Sequence, residues 1–307
     1  MAFHISSTVV LLNIFFLSLL LPGSYSIVRP GPARKFSEDD LVQFNLNVHY
    51  LIAELFLFGA TGHGLDVEAP GLAQGGPPPI GAQKANLDPL VQDIMNQFGL
   101  QATGNIRAIK EVVGGFPRPL LNLSKEGIAK IFDAAFERPL NPPFDAYANS
   151  LNFVLACSLI PYVGQTVYVG IIPQLNNPTF KALLARLLAI ISGQSAIIRS
   201  YLYMHRNLTV APYPNTVREF IDRIVNLKNR MGKGGVKDEG LVVPESQGAE
   251  GRVSGNILAA DKYSLSYSRS PEEALRLAYE TGDERLPGGS FPEGAGGRLA
   301  RYYLNNP

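Results

Sequence analysis

Residues 38–61, EDDLVQFNLNVHYLIAELFLFGAT, carry apolar side chains round most of a helix. A helix with so little polar surface is stable only when other helices surround it. The chain supplies them. Residues 88–113 read as a second long helix, stopped by Gly114-Gly115. A third covers 145–170, with Pro161 placed to kink or split it. A fourth covers 178–206, opened by Pro178. Four such helices, joined by long Gly/Pro-rich connections, predict a mainly α fold built on a four-helix bundle with extra short helices.

The shorter elements have their own signals. Residues 124–137 form a short helix, and 216–231 a fifth long one, capped by Thr216 and ended by Gly232. Ser270 caps a last short helix, with Pro271 in its first turn, Glu273 completing a capping box and Gly282 as the stop. GLVVP (240–244) and KYSLSYS (262–268) read as short extended segments, and the tail to Pro307 is again Gly/Pro-rich. The expected division is a leader over 1–26, a helical bundle over 27–231, and an irregular C-terminal extension over 232–307 packed on the bundle.

The leader is STVVLLNIFFLSLLL, followed by Pro22-Gly23 and by Ser24-Tyr25-Ser26 before a cut at Ile27. The apolar run is too short for a membrane span and has no stop-transfer flank, so it reads as a secretory signal peptide, although His4 and the amino terminus are its only cations. No later segment reaches membrane length free of Gly, Pro or charge, so no membrane span is expected after cleavage. A secretory route gives meaning to two sequons, Asn122-Leu-Ser124 and Asn207-Leu-Thr209. Cys157 is the only cysteine, which excludes an internal disulfide and fits a small buried hydrophobe. With 27 basic and 26 acidic residues and no Lys/Arg run, nothing marks a nucleic-acid partner. The oligomeric state is not encoded in any of these features.

Several long motifs resemble one family. GHGLDVEAPGLAQGGPPPIGAQKANLDP, GFPRPLLNLS, NPPFDAYANSLNF, IPYVGQTVYVG, GVKDEGLVVP and GAEGRVSGNILAADKYSLSYSRSPEE are similar to the plant desiccation-related proteins, over about residues 38–303. The resemblance implies a ferritin-like bundle, a secreted protein of the cell wall or apoplast, or of the vacuole, and accumulation under dehydration. It attaches no reaction. The departures carry more information. Where the family's first helix reads L-N-L-E-[FY]-L-E-A-E, this chain has His49 and Ile52 in place of two acids and keeps Glu54. Where the second reads Q-E-V-G-H-L-R, it has Ala102 and Asn105. Where the fourth reads E-S-G-Q-D-A, it has Ile191 and Ser195.

The metal question can also be put to the residues alone. A ferritin-like dinuclear site takes a Glu from each of two helices and a Glu-x-x-His from each of the other two. Three residues before the four histidines stand Met1, Leu46, Ala60 and Leu202, so no Glu-x-x-His exists. Residues 146–206 contain no Asp or Glu. Two of the four helices therefore offer no carboxylate, and no cofactor or metal is expected. Without a metal, acids crowded in an apolar interior would repel one another and take up protons, so Ala, Ile and Ser are the expected replacements.

Some replacements are polar, and they leave two readings open. His49, Asn105, Gln194 and Ser195 stand where side chains should face the bundle axis, with Tyr50 and Tyr162 able to add hydroxyls. In one reading His49 is a core histidine bonded to a neighbour, and the protein is protective or structural, or holds a small molecule in the bundle core. In the other, His49, Tyr162, Gln194 and Asn105 line the former metal cavity of a metal-free acid–base isomerase, cyclase or lyase. A closed cavity lined by residues 49, 105, 162 and 194 would favour the enzyme. Glu54 is no partner for His49, because five residues at about 100° each set them roughly 140° apart round the helix. It shares a stripe with Gln43 and Asn47 and is expected to serve a hydrogen-bond network or to pair with an arginine from another element, such as Arg107 or Arg199.

Overall fold

A computed structural model describes residues 36–306. The expected signal peptide and His4 lie outside the described residues. The elements are α1 (Glu38–Phe44), α2 (Leu46–Thr61), two single turns α3 (Leu65–Glu68) and α4 (Pro70–Ala73), α5 (Pro89–Val113), α6 (Lys125–Phe136), α7 (Ser150–Cys157), α8 (Pro161–Ile171), α9 (Pro178–Met204), α10 (Val217–Gly232), α11 (Pro271–Tyr279) and α12 (Gly297–Asn305). Among the described residues there is no strand, only isolated bridges.

α2, α5, the α7–α8 pair and α9 make the four-helix core. Every residue of α2 is buried except Val48, Phe58 and Thr61, as its apolar circumference requires. α5 runs antiparallel to it. Leu57 meets Gly99, while Tyr50, seven residues earlier, lies 5.3 Å from the Lys110 ammonium. The two backbones approach closely at Gly99, where a Cβ would fall 2.7 Å from Leu57 Cγ. α8 reaches α9 and α2 at Gly164, where a Cβ would fall 2.6 Å from Ile191 Cδ1. α6 and α10 form a second layer, sealed by Phe132, Phe136, Phe144 and Phe220, with Phe132 stacked on Phe144 at 3.7 Å.

The structure departs from the sequence reading in four places. The helix expected over 38–61 is divided at Asn45, whose side-chain amide donates to the Leu41 and Val42 carbonyls at 3.0 and 3.3 Å and so competes with the helical ladder. The helix expected over 145–170 begins only at Ser150, capped by Asn149, and is split outright before Pro161, which opens α8. Of the two extended segments, 240–244 makes one isolated antiparallel bridge, Val242 to Gly255, and falls short of a strand, while 262–268 makes none. The carbonyls of Glu239, Gly240, Asn256 and Ile257 are taken by the Arg199 side chain, and Asp261 curls the second segment by accepting from the Tyr263 and Leu265 amides. Last, the tail contains a helix, α12, packed on α1. Asn47 of α2 clamps its entry, accepting from Gly296 N at 2.8 Å and donating to Gly296 O at 3.0 Å.

Three stretches, 38–61, 150–174 and 178–204, are long and apolar enough to cross a membrane by length and composition. The first is 83% buried inside the protein, where it forms the core.

Candidate functional site

The residues that stand where a ferritin-like bundle would hold its metals are His49 on α2, Ala102 and Asn105 on α5, and Ile191 and Ser195 on α9. Ala102 and Ile191 are fully buried and pack as core. His49 is 1% exposed and points at α8, where its Nε2 lies 2.6 Å from the Tyr168 hydroxyl. Its Nδ1 has no hydrogen-bond partner among the described residues, and neither has the Asn105 amide nitrogen. Desolvation alone drives the His49 pKa down from 6.5 to about 3, and pushes the Tyr168 phenol well above its ordinary value. The pair is therefore neutral across the physiological range. Tyr168 was not singled out in the sequence. The signal was available, since a tyrosine buried in an apolar helix needs a partner for its hydroxyl.

The other candidates lie elsewhere. Gln194 reaches α5, where its amide donates to Gln101 Oε1 at 3.0 Å and to Phe98 O at 3.4 Å. Tyr50 points away from the axis, donating to the carbonyls of Leu72 and Phe116. Tyr162 faces the extension: its hydroxyl donates to Ala259 O at 3.5 Å, and burial raises its pKa. Arg199, Lys228 and Arg269 surround its ring at 5.9, 5.7 and 5.9 Å. Six residues separate Tyr162 from Tyr168, about 120° round α8, so the two look in different directions. The two hollows described in the protein, of about 130 and 380 Å³, are lined by none of the candidates 49, 105, 162 and 194.

Glu54 meets neither Arg107 nor Arg199. Its partner is Arg118, from the loop before α6, and both side chains are wholly buried. Arg107 is exposed on α5, and Arg199 spends its donors on backbone carbonyls of the extension. Arg118 also donates to Asp66, at 2.8 and 3.0 Å, and to the Pro77 and Gly76 carbonyls. Glu54 Oε2 accepts from Leu65 N at 3.3 Å. Burial pushes the Glu54 carboxyl up, and Arg118 pulls it back. The stripe of Gln43, Asn47, Tyr50 and Glu54 thus ties α1 and α2 to Val113, Gly296, the 62–87 connection and the 116–118 loop.

Among the described residues no group of three or more His, Cys, Asp and Glu is placed to hold an ion. The one imidazole at the axis already has its Nε2 on a phenol, and the α2 carboxylate is held by an arginine outside the bundle. His63 pairs with Glu68 at 3.2 Å, and His205 Nδ1 contacts Tyr201 O at 2.8 Å, so neither reaches the axis. The Cys157 thiol is buried and pushed up by desolvation, which leaves it inert as a nucleophile.

The buried imidazole carries a pH signature. In unfolded chains His49 takes up a proton near pH 6.5, whereas in the folded protein it does so only near pH 3. Between those values the unfolded state binds more protons, so this site lowers stability as pH falls, by about 1.4 kcal/mol per unit. Urea unfolding from pH 7 to pH 4 should show that slope in the wild type, flattened by one proton's worth in His49→Gln. Equal slopes would place His49 in water.

Comparison with known proteins agrees with the architecture. The ferritin-like domain family matches residues 37–204. A protein named ferritin-like catalase Nec2, from Nesocodon mauritianus, is 52% identical over 265 residues, which cover 86% of this chain and 85% of that protein. Desiccation-related protein PCC13-62, from Craterostigma plantagineum, is 46% identical over 291 residues, 92% of this chain and 91% of that protein. No solved structure matches.

Proposed function

This chain belongs to the ferritin-like domain family, together with plant desiccation-related proteins, and from that membership we propose that it is a secreted protein that uses no metal and has a protective or small-molecule-binding role outside the cell. One observation carries the reading: among the described residues there is a neutral His49–Tyr168 pair on the core helices and no group of three or more His, Cys, Asp and Glu able to hold an ion. Peroxide dismutation needs a group that cycles between oxidation states. The catalase activity in one relative's name is therefore not extended to this chain. Secretion is supported by the apolar leader and by the sequon at Asn207, which is exposed. Asn122 is half-buried, its amide packed against Gly127 and its Oδ1 holding Ser124, so Asn207 is the better place for a glycan.

The test is metal loading. The purified mature protein is offered manganese(II) or iron(II), desalted, and measured by elemental analysis and by oxygen release from hydrogen peroxide. Negligible metal and no oxygen above buffer are expected. Near-stoichiometric metal with oxygen release would overturn the proposal.

A second reading, a metal-free acid–base enzyme working at His49, is favoured by two buried atoms without partners among the described residues, His49 Nδ1 and Asn105 Nδ2. Against it, a base with a pKa of about 3 is weak at neutral pH, and Tyr162 and Gln194 lie apart from it. The His49→Ala protein decides it: loss of a turnover present in the wild type would reinstate the enzyme.

A further inference from the structure

The cavity of about 130 Å³ lies outside the four-helix core. No residue of α5 or α9 lines it. Its walls come from α2, α6, α8, α10 and α11, with Leu51, Leu55, Val163, Ile224, Leu275 and Phe291 among them. Protein interiors are otherwise close-packed, and this hollow is lined mostly by apolar side chains. Its volume is close to the roughly 150 Å³ of an apolar cavity able to hold one benzene molecule.

The walls are not uniform. Asn122, Ser290 and Glu280 line the side toward the larger hollow, and Asn45, Asn47 and the buried Lys228 are the cavity's other polar lining residues. The larger hollow of about 380 Å³ adjoins there, sharing Asn122, Gly127, Ile131, Leu227, Met231 and Glu280, and adds the polar groups of Lys130 and Thr281. An apolar chamber therefore has a polar mouth. Glu280 terminates α11 in the left-handed conformation, with φ of 59°, which turns the chain back toward that mouth. Its Oε1 accepts from Ser290 Oγ at 3.3 Å. Burial pushes its carboxyl up to about 8, against the opposing pull of the Ser290 hydrogen bonds and, last, of Lys130 on α6. Near neutral pH the group is then a carboxylic acid, able both to donate and to accept a hydrogen bond.

We propose that this cavity is a binding site for a monocyclic, mostly apolar small molecule with one neutral hydroxyl, its ring among Leu51, Leu55, Val163, Ile224 and Leu275 and its hydroxyl at Glu280. The site deepens the small-molecule side of the proposed function and is independent of the metal result, so either can fail alone.

The probes are benzyl alcohol, benzylamine and benzoate, titrated into the full mature protein at pH 6.5 and followed by methyl NMR. Benzyl alcohol should saturate, bind at least tenfold tighter than benzoate, and shift the methyls of Leu51, Val163 and Leu275. Val163→Phe, which places a ring in the chamber, should weaken it at least tenfold. Should that variant not fold, the wild-type shift map decides alone. Above pH 8, benzylamine should gain on benzyl alcohol in the wild type and not in Glu280→Gln. Absence of saturation, or shifts scattered over the surface, would overturn the proposal, as would unchanged binding in a folded Val163→Phe.

Discussion

Arg118→Met is expected to destabilise the protein by about 3–5 kcal/mol, the range for removing one partner of a buried ion pair. Arg118 is 1% exposed and is the hub at which three pieces of chain meet. It pairs with Glu54 on the core helix, with Asp66 on the first turn of the connection, and with two carbonyls further along it. Methionine fills much of the volume but leaves Glu54 buried with only the Leu65 amide to satisfy it. The loss is a large share of the roughly 5–15 kcal/mol that folds a protein. It should depend on pH. An unpaired buried Glu54 titrates above its ordinary value, so the folded variant holds a proton that its unfolded chain has released. Its stability then falls as pH rises, and the gap to wild type should be wider at pH 7 than at pH 5. Urea unfolding at both values measures this. The double variant Glu54→Gln/Arg118→Met should recover most of the loss, because no charge is left stranded. Asp66→Asn should cost under about 1 kcal/mol, since that carboxylate is half in water. A loss below about 1 kcal/mol in Arg118→Met would show that the hub is wet in solution.

The second large effect belongs to Asp238. It is 1% exposed and is the acid among three buried cations: it pairs with Lys228, and Arg199 NH1 stands 3.8 Å from its Oδ1. Arg269, 2% exposed, donates to Thr166 and leaves its NH2 without a partner. Asp238→Asn keeps the shape and removes the neutralising charge. A loss of about 3 kcal/mol is expected, at the low end for a broken buried pair, because Lys228 can shed its proton. Desolvation already lowers its pKa, and in the wild type Asp238 is the largest force opposing that shift. The check is a double-mutant cycle with Lys228→Met. The double variant should be more stable than Asp238→Asn alone, and a simple sum of the two losses would mean that the residues do not interact. The effect reaches past this cluster, because Arg199 holds the carbonyls of 239, 240, 256 and 257 and so docks the extension on the bundle.

The fold was legible because its determinants are local. Ser37, Asp88, Ser124, Thr216 and Ser270 each accept from a backbone amide in the first turn of a helix, a pattern that needs no knowledge of the rest of the chain. α12 escaped because it is short and lies in a Gly/Pro-rich tail, and its position is set by Asn47, 249 residues away. The site was legible only by subtraction. Missing carboxylates are visible in a string of letters, since 146–206 hold no Asp or Glu. The pairing of His49 was not visible, because Tyr168 is 119 residues distant, and its need for a partner does not say which partner the packing supplies.

By itself the sequence determined most of the helical segments, where several of them begin, and that 146–206 carry no acid. These follow from periodicity, capping chemistry and composition, which act within a few residues. Only the tertiary structure decided that Glu54 meets Arg118, that Tyr162 turns to the extension while His49 turns to Tyr168, and that the hollow space lies beside the bundle rather than along its axis. Those outcomes depend on how the loops fold back over the helices. A buried polar group takes whichever partner the packing brings within hydrogen-bond reach, and that choice is made across tens to hundreds of residues.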